Sequence, residues 1–201
     1  DALLLQARPL GCAGRSRESD AAIAEATAIL TAIGDEAGLA RALADQSGTA
    51  MFDERLADAV SIGTRAIEVA ERIGDRETLV RALNNVGTSR VIAGDEGGLA
   101  LLDRSLALAR EHDRDTDAGR AYINAVAALS ERHDWARAEP YLAEGLAFCS
   151  DRGLEAWENC LLGARAESDL AGGRFDEASR IATDLLARES DHANARFGPL
   201  L

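Results

Sequence analysis

Arg81–Gly87 (RALNNVG) and Arg120–Val126 (RAYINAV) lie 39 positions apart, at matching places in a helix-turn-helix pattern that runs along the whole chain. A period of this length restricts the fold to architectures in which one small unit is stacked on copies of itself. Longer stretches repeat in the same way. Arg65–Leu83 lies over Arg104–Tyr122 at a shift of 39, and Ile33–Leu43 lies over Ile73–Leu83 at a shift of 40. Two unrelated Ala-rich helices would share the helical period but not the polar corners, and here the corners coincide as well.

Those corners are Ile33-Gly34-Asp35, Ile73-Gly74-Asp75, His112-Asp113 and Asp151-Arg152-Gly153, alternating with breaks at Gly94-Asp95, His133-Asp134 and Gly172-Gly173. Each repeat therefore holds two helices. The spacing predicts pairs at 1–13 with 16–33, 37–52 with 54–73, 77–93 with 97–111, 116–132 with 135–150, and 154–171 with 175–189. Apolar residues recur at helical spacing, as in Ala66, Val69, Ala70 and Ile73, which gives each helix a stripe to bury. Asp95, Asp134 and Asp176 stand near helix starts, where a carboxylate accepts backbone N–H groups or meets the dipole favourably. Gly34, Gly74 and Gly94 suit helix ends that need a left-handed residue. Gly87, Ala125, Ala138 and Ala178 are small residues expected where helices cross closely. Asp191–Leu201 opens like another first helix and then meets Gly198-Pro199, so it reads as the start of a further repeat or a frayed tail, with the chain as a segment of something longer. The expected organisation is a single helical array over 1–190.

Composition narrows the function. The net charge is -13, and all 22 basic residues are Arg because the sequence has no Lys. Such a field repels phosphate backbones, and no basic stripe offsets it, so nucleic acid is not an expected partner. Cys12, Cys149 and Cys160 lack CxxC spacing, which supports neither a disulfide framework nor a zinc site. No apolar stretch is long enough to cross a bilayer and Asp1–Leu10 lacks signal-peptide character, so a cytoplasmic location is expected. The phosphate-binding, zinc-protease and serine-hydrolase motifs are missing, and His112, His133 and His192 fall at corners or near the end of the sequence. A binding protein without cofactor, rather than an enzyme, follows. The remaining enzymatic possibility is chemistry at Cys149 or Cys160.

RALNNVG at Arg81–Gly87, followed by Gly94-Asp95 and Leu106–Ala109, together with GRFDEA at Gly173–Ala178, resembles the tetratricopeptide (TPR) family. The period of 39–40 exceeds the family's value of about 34, and the Pro expected between repeats is missing. The resemblance is closest to the longer-period arrays of large ATP-binding LuxR-type transcriptional regulators. It implies an all-α fold, a right-handed α-solenoid of about five helix-turn-helix repeats whose first helices line the concave face. It also implies a regulatory scaffold that binds a protein or peptide, a small-molecule effector, or other domains of the same polypeptide; a stand-alone adaptor is the alternative.

By the same resemblance, partner-contact positions fall on Arg81, Asn84, Asn85 and Thr88, and in the next repeat on Arg120, Ile123, Asn124 and Ala127. Arg41, Asp45 and Arg165 extend that surface. Arg forks onto a carboxylate and Asn satisfies both groups of a peptide unit, so an acidic or C-terminal segment is the favoured ligand. The family's carboxylate clamp is matched only incompletely, because Asn84, Thr88, Asn124 and Arg120 occupy its Lys and Asn positions. The competing reading pairs Arg81 and Arg120 with Glu77, Asp115 or Asp117, and has Asn85 and Asn124 bond across adjacent repeats. Of the later aromatics, Trp135 and Phe148 are expected in the inter-helix core, whereas Tyr122 and Trp157 are placed to border a groove.

Overall fold

The computed structural model describes residues 16–188, and these form nine α-helices without strands. They are α1 (Ser16–Ile33), α2 (Glu36–Phe52), α3 (Leu56–Ile73), α4 (Arg76–Ile92), α5 (Gly97–Glu111), α6 (Asp115–Glu131), α7 (Trp135–Asp151), α8 (Glu155–Ala171) and α9 (Phe175–Ala187). First helices begin at Glu36, Arg76, Asp115 and Glu155, which is the period read from the sequence. The expected helix at 1–13 and the segment Asp191–Leu201 lie outside the described residues.

The regularity comes from the corners. Every one contains a residue with positive φ: Gly34, Glu54, Gly74, Gly94, Asp113, His133, Gly153 and Gly173. At each, the N–H of the residue after it reaches back five positions, as from Asp35 to the Leu30 carbonyl (3.0 Å), Asp75 to Ala70 (2.9 Å), Asp134 to Leu129 (2.9 Å) and Arg174 to Asp169 (2.7 Å). The left-handed residue itself donates three positions back, so both bonds of a Schellman motif are present. The same following residue then offers its carbonyl to the next helix, as Asp35 does to Leu39 and Asp134 to Ala138. One residue thus ends a helix with its N–H and starts another with its C=O. Asp35, Asp75 and Asp134 add a side-chain cap, accepting from the N–H groups of Gly38, Thr78 and Arg137. Asp95 accepts from Gly97 N–H at 2.9 Å, whereas Asp176 lies inside the first turn of α9.

The helices group into two compact units, one running to Leu108 and the other beginning at Ala109, within α5. In the first, α4 packs on both α2 and α3, and in the second α8 packs on both α6 and α7. Each of these first helices therefore covers the hairpin before it. In the first unit Ala40, Ala70, Leu79 and Leu83 form a buried cluster with Ile67 and Ile73 against it, and Leu43, Ala44, Ala66 and Ala82 form another.

Small residues set the helix separation. A Cβ on Gly87 would lie 2.9 Å from the Gly98 carbonyl oxygen and 2.9 Å from Leu102 Cγ, while one on Gly98 would lie 2.6 Å from the Gly87 oxygen. The α4 and α5 backbones touch directly at this reciprocal pair, of which only Gly87 is evident from the sequence. Ala125 and Ala138 are fully enclosed and Ala178 is buried, as their crossing positions require.

Two kinds of glycine give separable effects. Gly74 has φ 74° and open space where a Cβ would point, so Gly74→Ala strains only the backbone and should cost about 1 kcal/mol in urea unfolding. Glu54, a non-Gly residue at φ 58°, should show the opposite sign: Glu54→Gly gains up to about 1 kcal/mol once the unfolded-chain entropy is set against it. Gly87→Leu must push the two backbones apart and should cost about 3 kcal/mol, at the upper end of overpacking effects.

Candidate functional site

In the first unit the predicted contact residues divide by depth. Arg41 is exposed on α2 and Arg81 half-buried on α4. Asn84, Asn85 and Thr88 are buried, which corrects their expected place on an open surface. Asn85 Nδ2 donates to the Ala44 carbonyl at 2.9 Å, and Thr88 Oγ1 donates to the Asn84 carbonyl at 2.8 Å. The physical reason is α2, which lies against this face of α4; the amide that would have met a ligand's peptide unit meets the preceding first helix instead. Bonding across adjacent repeats, the competing reading, describes Asn85. Ser47 and Ser105 fasten helices in the same way, donating to the carbonyls of Ala59 (2.7 Å) and Val80 (2.8 Å).

Arg81 spans the two first helices. Its guanidinium donates to Asp45 Oδ1 at 3.0 Å and to Glu77 Oε1 at 3.1 Å. Glu77 is one of the expected partners, and Asp45 shares the surface. With Arg81 and Asp45 both about four-fifths buried, the contact is a charge-assisted pair stronger than a fully solvated one.

In the second unit, Tyr122 is corrected from groove to core: it is 1% exposed, its ring centroid lies 5.6 Å from that of Phe148, and its hydroxyl lies 3.3 Å from Arg110 Nη1 and 3.5 Å from Glu144 Oε2. Burial pushes its phenol up. Position 122 faces α7, where Gly145 leaves only enough room for the ring; a Cβ on Gly145 would come 2.9 Å from Tyr122 Cβ. Phe148 is buried as expected and is flanked by the guanidinium groups of Arg152 at 4.0 Å and Arg110 at 5.8 Å; Trp135 is half-buried.

Trp157 and Arg120 form a different arrangement. The indole of α8 rests on α6 at Gly119, where an added Cβ would sit 2.9 Å from Trp157 Cγ. The Arg120 guanidinium lies 5.8 Å from the indole centroid, and Arg120, Asn124 and Trp157 are all half-buried. Asp115 pairs with Arg152 at 2.9 Å and Asp117 with Arg114 at 2.7 Å, and Arg120 and Asn124 make contacts of their own. Gly119 is the residue missed from the sequence; a Gly one step before Arg120 and 38 before an aromatic is its only signal. Arg165 forks onto Glu139 at 2.7 and 2.8 Å.

The two described thiols, Cys149 and Cys160, are poor nucleophiles. Burial, aided by the charge of Glu158 and by Cys160 and opposed by Arg152, pushes Cys149 up to about 11; burial raises Cys160 too. Neither is a reactive thiolate near neutral pH. Among the described residues no cluster of His, Cys, Asp and Glu is arranged to hold a metal ion, and no helix is long and apolar enough to cross a membrane.

The fold is that of a tetratricopeptide-like helical repeat array. The chain is similar to an aspartyl phosphate phosphatase F from Bacillus subtilis, with TM-score 0.76 and 15% identity over 92% of this chain and 49% of that one. It is also similar to a signal transduction ATPase with numerous domains carrying a tetratricopeptide repeat sensor, from Pyrococcus horikoshii, with TM-score 0.70 and 15% identity over 96% of this chain and 31% of that one. The chain thus spans half or less of the length of these solved structures. No family model matches the sequence, and no curated protein matches it.

A double-mutant cycle of Arg81→Ala and Asp45→Asn should give a coupling of about 1 kcal/mol in urea unfolding, against nearly zero for the exposed pair Arg180–Asp184. Stability should also fall in alkali. The Cys149 thiol is raised from 9.0 to about 11, so the stabilisation from its protonated form is whole below pH 9 and lost as pH rises through 11. Cys149→Ala should flatten that limb of the pH profile.

Proposed function

We propose that the chain is a binding and regulatory scaffold that takes an acidic or carboxy-terminal peptide segment on its first helices. The observation that carries this reading is the Arg120–Trp157 pair. A half-buried guanidinium beside a half-buried indole sets a group able to fork onto a carboxylate next to an apolar platform, where a ligand would exchange for the contact Arg120 already makes. Asn124, one turn along α6 from Arg120, supplies an amide of the kind that recognises a peptide unit. The pair is preorganised, since Gly119 fixes the indole before any ligand arrives.

The wider setting we infer is the sensor segment of a larger bacterial regulator, of the LuxR type suggested by the sequence. The similarity to an ATPase with a tetratricopeptide repeat sensor supports that setting. Binding would then act on a neighbouring module through differential contacts in two states of the array. The adaptor reading would require a partner to bind with no such transmission.

A fluorescent peptide with acidic residues and a free carboxy terminus should bind with a salt-sensitive affinity. Arg120→Ala should weaken it about tenfold and Trp157→Ala by a similar factor, with thermal unfolding of the Arg120 variant little changed. Equal binding to an amidated, neutral peptide, or insensitivity to Arg120→Ala, would overturn the assignment.

A further inference from the structure

Arg41, Arg81 and Arg120 hold equivalent places on the first helices α2, α4 and α6, the same distance past Glu36, Arg76 and Asp115. Arg81 is held from two sides: Nη1 donates to Asp45 Oδ1 at 3.0 Å and Nη2 to Glu77 Oε1 at 3.1 Å. A guanidinium offers its two Nη groups as a fork that a single carboxylate can take whole, as Glu139 does from Arg165 at 2.7 and 2.8 Å. At Arg81 the fork is divided between two separate side chains, one from its own helix and one from the first helix before it.

Neither carboxylate belongs to the repeat pattern. The place of Asp45 is taken by Asn85 in α4, Asn124 in α6 and Ala164 in α8, and the place of Glu77 by Ala37 in α2, Thr116 in α6 and Ala156 in α8. Each acid is the exception at its own position, and the two exceptions, on different helices, meet at one guanidinium. Glu77 is 52% exposed, where an ion pair adds little to stability. The larger effect is on what the guanidinium can accept. Both Nη groups are filled, and two like charges face any incoming carboxylate. Because the two acids are fixed beside the fork, they compete at a high effective concentration.

We propose that Arg81 is a masked carboxylate-binding position, closed by Asp45 and Glu77 acting as built-in ligands, and that removing their charge opens it to the carboxylate of an acidic or carboxy-terminal peptide. The choice of ligand rests on the reading of Arg120 given above; the mask itself rests on the contacts of Arg81. The position is made for such a group, since carboxylates already occupy it. Its masking confines recognition: the first unit refuses an anionic segment that the equivalent Arg of the second unit accepts.

The test is made in the full chain carrying Arg120→Ala, by fluorescence anisotropy with a labelled acidic peptide that has a free carboxy terminus. Adding Asp45→Asn and Glu77→Gln should tighten binding about tenfold in a salt-sensitive way, and Arg81→Ala on top of these should remove the gain. An amidated, neutral peptide should show no gain. Both unmasking changes keep the size of the side chain, and thermal unfolding checks the fold; Asp45→Asn alone should give a smaller gain of the same sign. No gain in a folded unmasked chain, or a gain that survives Arg81→Ala, would overturn the proposal and leave the Arg120 reading standing. Loss of binding on Arg81→Ala in the otherwise unaltered chain would also overturn it, because the position would then be open already. A gain on unmasking, in a chain whose unaltered form does not bind the peptide, would support the mask and overturn the Arg120 reading instead.

Discussion

The array depends on a single backbone hydrogen bond made over and over: the N–H just past a left-handed residue returning to the carbonyl five positions earlier. Because the same residue's carbonyl begins the next helix, the direction of each helix is set by the one before it through main-chain atoms alone. The side chain at that position is then almost free to vary, and Asp, Arg and Leu all occur there, at Asp35, Arg55 and Leu154. What is not free is the preceding residue. Five of the eight are Gly, while Asp113 and His133 belong to types that tolerate the left-handed region better than most. Glu54 has no such compensation, and its corner carries backbone strain that the bonds on either side hold in place.

Fixed corners make packing a matter of side-chain size. With helix directions set, separation is decided at a few contacts such as Gly87 against Gly98 and Gly119 against Trp157. A chain with only 4% aromatic residues and abundant Ala has side chains small enough for such narrow spaces. Its larger side chains are placed where a Gly opposite makes room, as Tyr122 is by Gly145.

The same logic explains which features are legible in the sequence. Period, helix ends and small crossing residues follow from local rules, so Gly34, Gly74, Asp134 and Gly87 declare their roles by type and position. Depth does not. Asn85 and Asn124 occupy equivalent places and both look fit for a ligand, yet Asn85 is buried against Ala44 and Asn124 is half-buried. That difference in depth is not declared by the type of either residue. Tyr122 departs from its expected groove for the same reason, since its burial is decided by Gly145, far along the chain on the next helix. Arg120 is recognisable as a polar first-helix position, but its indole neighbour is brought to it by Gly119, and nothing in the type of either residue announces that meeting.

A repeat protein carries its own internal control, because equivalent positions share a backbone environment and differ only in neighbours. Where the neighbour is a covering helix, position 51 or 91 holds an apolar side chain out of water; where no described helix follows, Leu170 keeps the apolar type and stands exposed. Position 167 differs in the same comparison, carrying a half-buried carboxylate where Gly48 leaves room for the Asn85 amide of α4.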